Sequence, residues 1–430
     1  MNPLAVDLND VISQASPAIF SLLSKRGKQI YFPKKGILAQ AAEAKGKAIN
    51  ATIGEAVEDD ATPMRLESIA SKVSLNPKQV FPYAPSFGLP TLREKWKTLI
   101  AEKNPSLAGK EYSLPVVTSA LTHGLSMVGY LFLDEGDTLL IPDISWDNYS
   151  LIFSNGYGAK LTPFPLFKGD GLDLEGFRQA LLAGEPAKKV VLFNFPNNPT
   201  GYSLTTIEAT QIQKIILEAA EKGHTIVAII DDAYFGLVYE NGIETESLFA
   251  RLADVHSHVL AVKLDGPTKE DYVWGLRVGF MTYGVRLGTK ALYTALEAKT
   301  AGAIRGNISN ASHLGQSLLL QAYESSTYGA EKKAKYETLF ARYQAVKKTI
   351  AIHPEYTEQF EPLPFNSGYF MCVTLKNGLD CEKVRQILLN EFDTGLINLS
   401  GVLRIAFSSV SAAVIPTIFE NIYKACLKAQ

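Results

Sequence analysis

At 430 residues, 47% hydrophobic and 20% charged, the chain is longer than one hydrophobic core ordinarily organises, so two domains are expected. A formal net charge of −2 gives no electrostatic reason to bind nucleic acid or an anionic membrane, and no apolar run nears the ~20 residues of a membrane span. Cys372, Cys381, Cys426 and the scattered histidines suggest neither a disulfide framework nor a metal site, and with no signal-peptide pattern after Met1 a cytoplasmic location is expected.

Residues 1–45 read as an N-terminal arm of short helices. An extended run, Ala48–Glu55, ends at Gly54, which either lets backbone approach a ligand or simply turns the chain. Tyr83 opens a turn that leads into a helix near Pro90 and is read as a surface aromatic or a ligand contact. Strands follow at Val116–Thr118, Thr138–Ile141, Lys160–Phe164, Val190–Phe195, Thr225–Ile230, Val259–Leu264 and Val278–Tyr283. Helical patterns such as Gly124–Phe132 and Thr205–Lys222 fill the intervals. Strands apolar on both faces and alternating with helices imply a mostly parallel seven-stranded sheet covered on both sides, in three layers. Ligands of such sheets gather beyond the carboxyl ends of the strands. Helices Thr289–Thr300, Ser309–Ser325 and Glu331–Ala351 come next. A smaller α/β unit closes the chain, with strands Tyr369–Leu375 and Leu403–Ala406 and helices Glu382–Phe392 and Ala412–Ala429. The expected division is a large unit at 46–310 and a small one built from 311–430 with the arm 1–45.

The chemistry concentrates in Asp265-Gly-Pro-Thr-Lys-Glu-Asp-Tyr-Val-Trp-Gly-Leu-Arg-Val-Gly279. Lys269 follows a strand at once, and Arg277 lies between two glycines. A lysine at the mouth of a sheet can join an aldehyde as an imine, and an arginine fork can grip a phosphate. Aldehyde and phosphate on one small molecule describe pyridoxal 5′-phosphate. Asp231 ends the most apolar strand, where a carboxylate needs a partner such as a protonated ring nitrogen; a helix cap is the alternative. Tyr234 follows three residues on and can donate to a phenolic oxygen. Asn198, set between prolines in Phe195-Pro-Asn-Asn-Pro-Thr-Gly201, is aimed into a cleft or serves its own turn. Ala120, Leu121 and Thr122 open a helix after a strand, a ready seat for phosphate. Trp146 offers a face for ring stacking or packs in the core. Arg404, alone inside an apolar strand, calls for an anion: a substrate carboxylate or a structural ion pair.

Taken together, these residues resemble the fold-type I pyridoxal-phosphate enzymes, specifically the class I/II aminotransferases of the aspartate/aromatic kind, from about Gly54 to Arg404. The resemblance implies that Lys269 carries the imine and moves the α-proton, and that Asp231 pairs with the pyridine nitrogen. Asn198 and Tyr234 would bind the phenolic oxygen, and Trp146 would stack on the ring. Arg277, Thr122 and the backbone of Ala120 and Leu121 would hold the phosphate, with Tyr83 reaching it from the partner of a homodimer. Gly54, Asn198 and Arg404 would meet the substrate, an amino acid or 2-oxo acid. Arg305 holds the place of an arginine that reads a dicarboxylate across the dimer; a surface arginine at a helix start is the alternative. Two departures stand out: Gly266 replaces the usual serine, with Thr268 able to supply a hydroxyl, and Ala120-Leu121 replaces a glycine-serine pair. The resemblance implies ping-pong transamination with an acceptor such as 2-oxoglutarate. A C–S β-lyase or decarboxylase of the same fold, or a non-catalytic sensor module, are the alternatives. A nucleotide-binding α/β protein lacks its Gly-x-Gly-x-x-Gly fingerprint here.

Overall fold

The computed structural model describes residues 1–31, 36–399 and 401–430; positions 32–35 of the expected arm lie outside the described residues. All seven expected strands form, as β1 Val116–Thr118, β2 Thr138–Pro142, β3 Lys160–Phe164, β4 Lys188–Asn194, β5 Thr225–Asp231, β6 Val259–Asp265 and β7 Gly279–Gly284. They make one sheet in the order β1-β7-β6-β5-β4-β2-β3. Only β7 runs against its neighbours β1 and β6; the other pairs are parallel.

Side-chain alternation explains the layering. Val190, Leu192, Val227, Ile229, Val262 and Leu264 pack in one buried cluster, while Val191, Phe193, Ala228, Ile230 and Ala261 pack in another. Successive residues of a strand face opposite ways, so each strand feeds two apolar layers, and helices cover both. The register sets Asn194 opposite Asp231, and Asp231 opposite Leu264. The carboxyl ends of β4, β5 and β6 therefore finish side by side.

The smaller C-terminal unit has four antiparallel strands, Phe360–Pro362, Phe370–Leu375, Ile397–Leu399 and Val402–Ala406, where the sequence pattern gives two. The two extra ones are three residues each, too short for an alternation to register. The helix expected from Ser309 begins instead at His313, because Ser309 has φ +70, outside helical backbone. The preceding helix runs on to Asn307, which puts Arg305 in its last turn and not at a helix start. Gly201, with φ +72, joins the two units: a Cβ there would lie 1.9 Å from the Phe370 carbonyl oxygen, so only glycine passes. No helix among the described residues is long and apolar enough to cross a membrane.

Candidate active site

A cavity of about 470 Å³ opens beyond the carboxyl ends of the sheet strands. Its lining includes Gly54, Ala120, Leu121, Thr122, Trp146, Asn198, Asp231, Tyr234, Thr268, Lys269, Arg277 and Arg404, which the sequence places at separated points along 350 residues of chain. Tyr83 and Arg305 line no part of it. Tyr83 is 88% exposed, and Arg305 is exposed with its Nη1 3.1 Å from Ser309 Oγ.

Asp231 is 3% exposed and its carboxylate is fixed on both oxygens. Tyr149 donates its hydroxyl to Oδ2 at 2.7 Å, and the Ala233 N–H donates to Oδ1 at 3.2 Å. Burial raises the Asp231 pKa, opposed by the Tyr149 hydrogen bond and by the Lys269 charge. The Lys269 amine lies 4.9 Å from the centre of the Tyr234 ring. Burial lowers its pKa to about 8; Asp231 acts against that shift and Arg277 with it. An amine so placed sheds its proton far more readily than a surface lysine.

Beneath these groups a chain of amides ties two strand ends to the Pro-Asn-Asn-Pro turn. Asn194 Nδ2 donates to the Asp231 carbonyl at 2.9 Å, and its Oδ1 accepts the Asn198 N–H at 2.9 Å. The Asn198 amide oxygen in turn accepts from Arg404 Nη1 at 3.2 Å. Arg404 also donates to the Thr52 carbonyl at 2.8 Å and stacks 4.2 Å above the Phe370 ring. It is 2% exposed, its Nε has no partner, and none of the described carboxylates lies within ion-pair distance of it. Of the two sequence readings of Arg404, the structural ion pair is absent among the described residues.

The pyridoxal 5′-phosphate implied by the sequence fits these residues. Thr268 Oγ1 is buried and unpartnered, and the helix Ala120–Phe132 starts at the cavity with no side-chain cap on its N-terminal N–H groups. A buried hydroxyl and free N–H groups at one end of a site are what a phosphate satisfies. Gly266 and Leu121, the two departures from the family pattern, prove to be neighbours. A Cβ at 266 would sit 3.1 Å from Leu121 Cδ1, 3.0 Å from Gly279 Cα and 3.0 Å from the Val278 carbonyl oxygen. Gly266→Ser is expected to cost about 1–3 kcal/mol by overpacking, with Leu121→Ala recovering part of the loss. Thermal unfolding of the two single variants and the double variant checks this coupling.

Sequence reasoning missed several lining residues: Ile37, Ile53, Tyr149, Asn194, Trp274 and Phe370. Tyr149 stands three residues after Trp146 and its ring meets the Trp146 ring edge-on at 5.5 Å, but nothing in its local pattern points to Asp231.

The aminotransferase class I and II family matches residues 48–422. A probable aspartate/prephenate aminotransferase of Aquifex aeolicus is 31% identical over 212 residues, 48% of this chain and 50% of that protein. Glutamate-pyruvate aminotransferase AlaC of Escherichia coli is 27% identical over 240 residues, 55% of this chain and 53% of that protein. The chain thus spans about half the length of the curated relatives it matches. In fold it is similar to an aminotransferase of Anaerococcus prevotii, with a TM-score of 0.82 at 23% identity over 94% of this chain and 98% of that one. It is also similar to a Pyrococcus horikoshii kynurenine aminotransferase, with a TM-score of 0.77 at 16% identity over 96% and 98% of the two chains. By the match over most of its length, the chain belongs to the class I and II aminotransferases, a family whose members use pyridoxal 5′-phosphate.

Proposed function

We propose that the protein is an aminotransferase that moves an amino group between an L-amino acid and a 2-oxo acid such as 2-oxoglutarate, alternating between the two in ping-pong fashion. The observation that carries this reading is one cavity holding a lysine amine of lowered pKa, a buried carboxylate, and a buried arginine with no counter-anion among the described residues. Bound there, pyridoxal 5′-phosphate supplies an aldehyde that links to amines and a ring that draws electrons from the α-carbon. Lys269 Nζ is the proton carrier at that carbon. Asp231 holds the ring nitrogen in its protonated form, and Tyr149 and the Ala233 N–H orient it. Asn198 and Tyr234 hold the phenolic oxygen, and Trp146 covers one ring face. Thr122, Thr268, Arg277 and the N–H groups of Ala120 and Leu121 hold the phosphate.

Arg404 receives the substrate α-carboxylate, with Gly54 and Asn198 beside it. Truncating one partner of a buried, hydrogen-bonded charge pair costs about 2–4 kcal/mol. Arg404→Ala is therefore expected to raise KM for amino and oxo acid alike by roughly 30- to 1,000-fold, with kcat changed far less. Steady-state kinetics with both substrates check this, and an unchanged KM would remove Arg404 from the substrate site.

Residues 46–310 form the cofactor-bearing unit in this reading, with 1–45 and 311–430 as the smaller one. The working assembly is a cytoplasmic homodimer in which Tyr83 and Arg305, exposed in one chain, serve the partner's site. Aspartate, glutamate or an aromatic amino acid is the donor. The test is a screen of the purified holoprotein against the amino acids with 2-oxoglutarate, comparing aspartate with phenylalanine in wild type and Arg305→Ala. Selective loss of the dicarboxylate in that variant supports the role of Arg305. Pyruvate and ammonia formed from a cysteine conjugate with no oxo acid present would replace transamination by β-elimination.

A further inference from the structure

Directly behind the cavity the chain buries a second set of charges. Glu270 and Asp271 follow Lys269 in sequence, are 4% and 0% exposed, and turn away from the cavity wall. Two adjacent buried carboxylates are costly unless cations and donors reach them. Lys103, at the end of the helix Pro90–Lys103, binds Glu270 at 2.9 and 3.2 Å. The Tyr323 and Tyr328 hydroxyls donate to Asp271 at 2.9 and 2.8 Å. Lys332, on the long helix Tyr328–Ile352, reaches both acids: Glu270 Oε2 at 2.5 Å and Asp271 Oδ1 at 3.0 Å. No other cation among the described residues pairs with both. From a third side the Tyr369 hydroxyl donates to the Lys269 carbonyl at 2.8 Å.

We propose that Lys332 is a positioning residue for Lys269, fixing the segment from which the amine projects and cancelling the two acids behind it. The inference rests on the proposed role of Lys269. Its electrostatic part follows from counting the groups that face each other. Lys269 looks toward Asp231 from β5, Tyr234 from the following loop, and Arg277. Behind it, Glu270 and Asp271 are balanced by Lys103 and Lys332. Glu58, also near this cluster, is held by Lys335 at 2.5 Å. Burial works against charge on Glu270, but Lys103 and Lys332 outweigh it and hold the carboxyl well below its usual range. Burial likewise works against charge on Lys332, and Asp271 and Glu270 overcome it. Glu270 and Lys332 therefore stay charged, and removing either charge leaves the cluster unbalanced beside the reactive amine.

The test is a pH titration of the visible absorbance of the bound cofactor in the holoenzyme, which follows protonation of the Lys269 nitrogen. Lys332→Met leaves a net negative charge and is expected to raise the midpoint by about half to one pH unit. Glu270→Gln leaves a net positive charge and is expected to lower it by a similar amount. Lys332→Arg should restore the wild-type midpoint, and Lys333→Met, a cation lost from the exposed face of the same helix, should not move it. A cluster that only held the fold would lower the thermal midpoint of both variants and shift the titration of neither, or shift both in one direction; either result overturns the proposal. The Glu270→Gln arm keeps the test intact where Lys332→Met does not fold. A wild-type holoprotein with no absorbance that follows pH, and no borohydride label on Lys269, would instead overturn the role of Lys269 and this inference with it.

Discussion

Lys269→Ala is expected to keep the fold, retain cofactor affinity through the phosphate contacts, and lose transamination by at least about 10⁴-fold. Lys269 is the only lysine lining the cavity, so among the described residues no second amine stands ready to replace it. Its lowered pKa adds a pH signature. With a pKa near 8, about half of the amine is unprotonated at pH 8, against roughly one molecule in 300 for a lysine of ordinary pKa. The sign is set by burial, which disfavours the charged form: reactive amine is present above about pH 8 and is lost as the pH falls below it. Association of the aldehyde cofactor with apoprotein should therefore accelerate through pH 8, not two units higher. Borohydride reduction followed by peptide mapping supplies the direct check. The label is expected on the peptide holding Lys269 in wild type and nowhere in the variant; a label on another lysine would refute the assignment.

Asp231→Asn is expected to lower kcat by about 10²–10³-fold, the size typical of removing one preorganised charge from a buried site. Cofactor binding should weaken much less, because the phosphate end is untouched. In the protein alone burial raises the Asp231 pKa above its ordinary value, and a protonated ring nitrogen held beside the carboxylate would act the other way and keep it ionised. Tyr149 donates to the ionised carboxylate, and this bond lowers the pKa. Tyr149→Phe is thus expected to move the acid limb of the kcat profile to higher pH than in wild type while leaving its height on the alkaline side nearly intact. A downward shift would mean that Tyr149 serves some other group. Measuring kcat against pH for wild type and both variants separates the two effects.

Much of this site was legible as soon as the strands were. Asp231 and Lys269 lie at or just beyond the ends of apolar runs, and short, fully buried strands announce their own ends through turn residues such as Gly266 and Pro267. Asn198 and Arg404 were legible for another reason: each is a polar group where the surrounding pattern is apolar or rigid, so its presence asks for a partner. The Leu121–Gly266 relation was not legible. Each residue alone reads as a lost phosphate contact, and only the 3.1 Å that would separate a Cβ at 266 from Leu121 Cδ1 shows that the leucine fills space a side chain at 266 would need. Tyr149 was missed because a buried tyrosine in an apolar stretch resembles core until its hydroxyl is seen 2.7 Å from a carboxylate 82 residues away.

The sequence by itself determined the seven strands, their alternation with helices, and the identity of the groups able to do chemistry at the strand ends. Those features are local: side-chain period, turn residues and the cost of an unpaired charge act over a few residues and leave their mark in them. The tertiary structure alone decided which strand lies beside which, and it ran β7 against its neighbours. It also left Arg404 without an acid among the described residues and placed Lys332 across Glu270 and Asp271. Such pairings depend on packing between segments tens to hundreds of residues apart, and no short-range pattern in the chain encodes the distance between them.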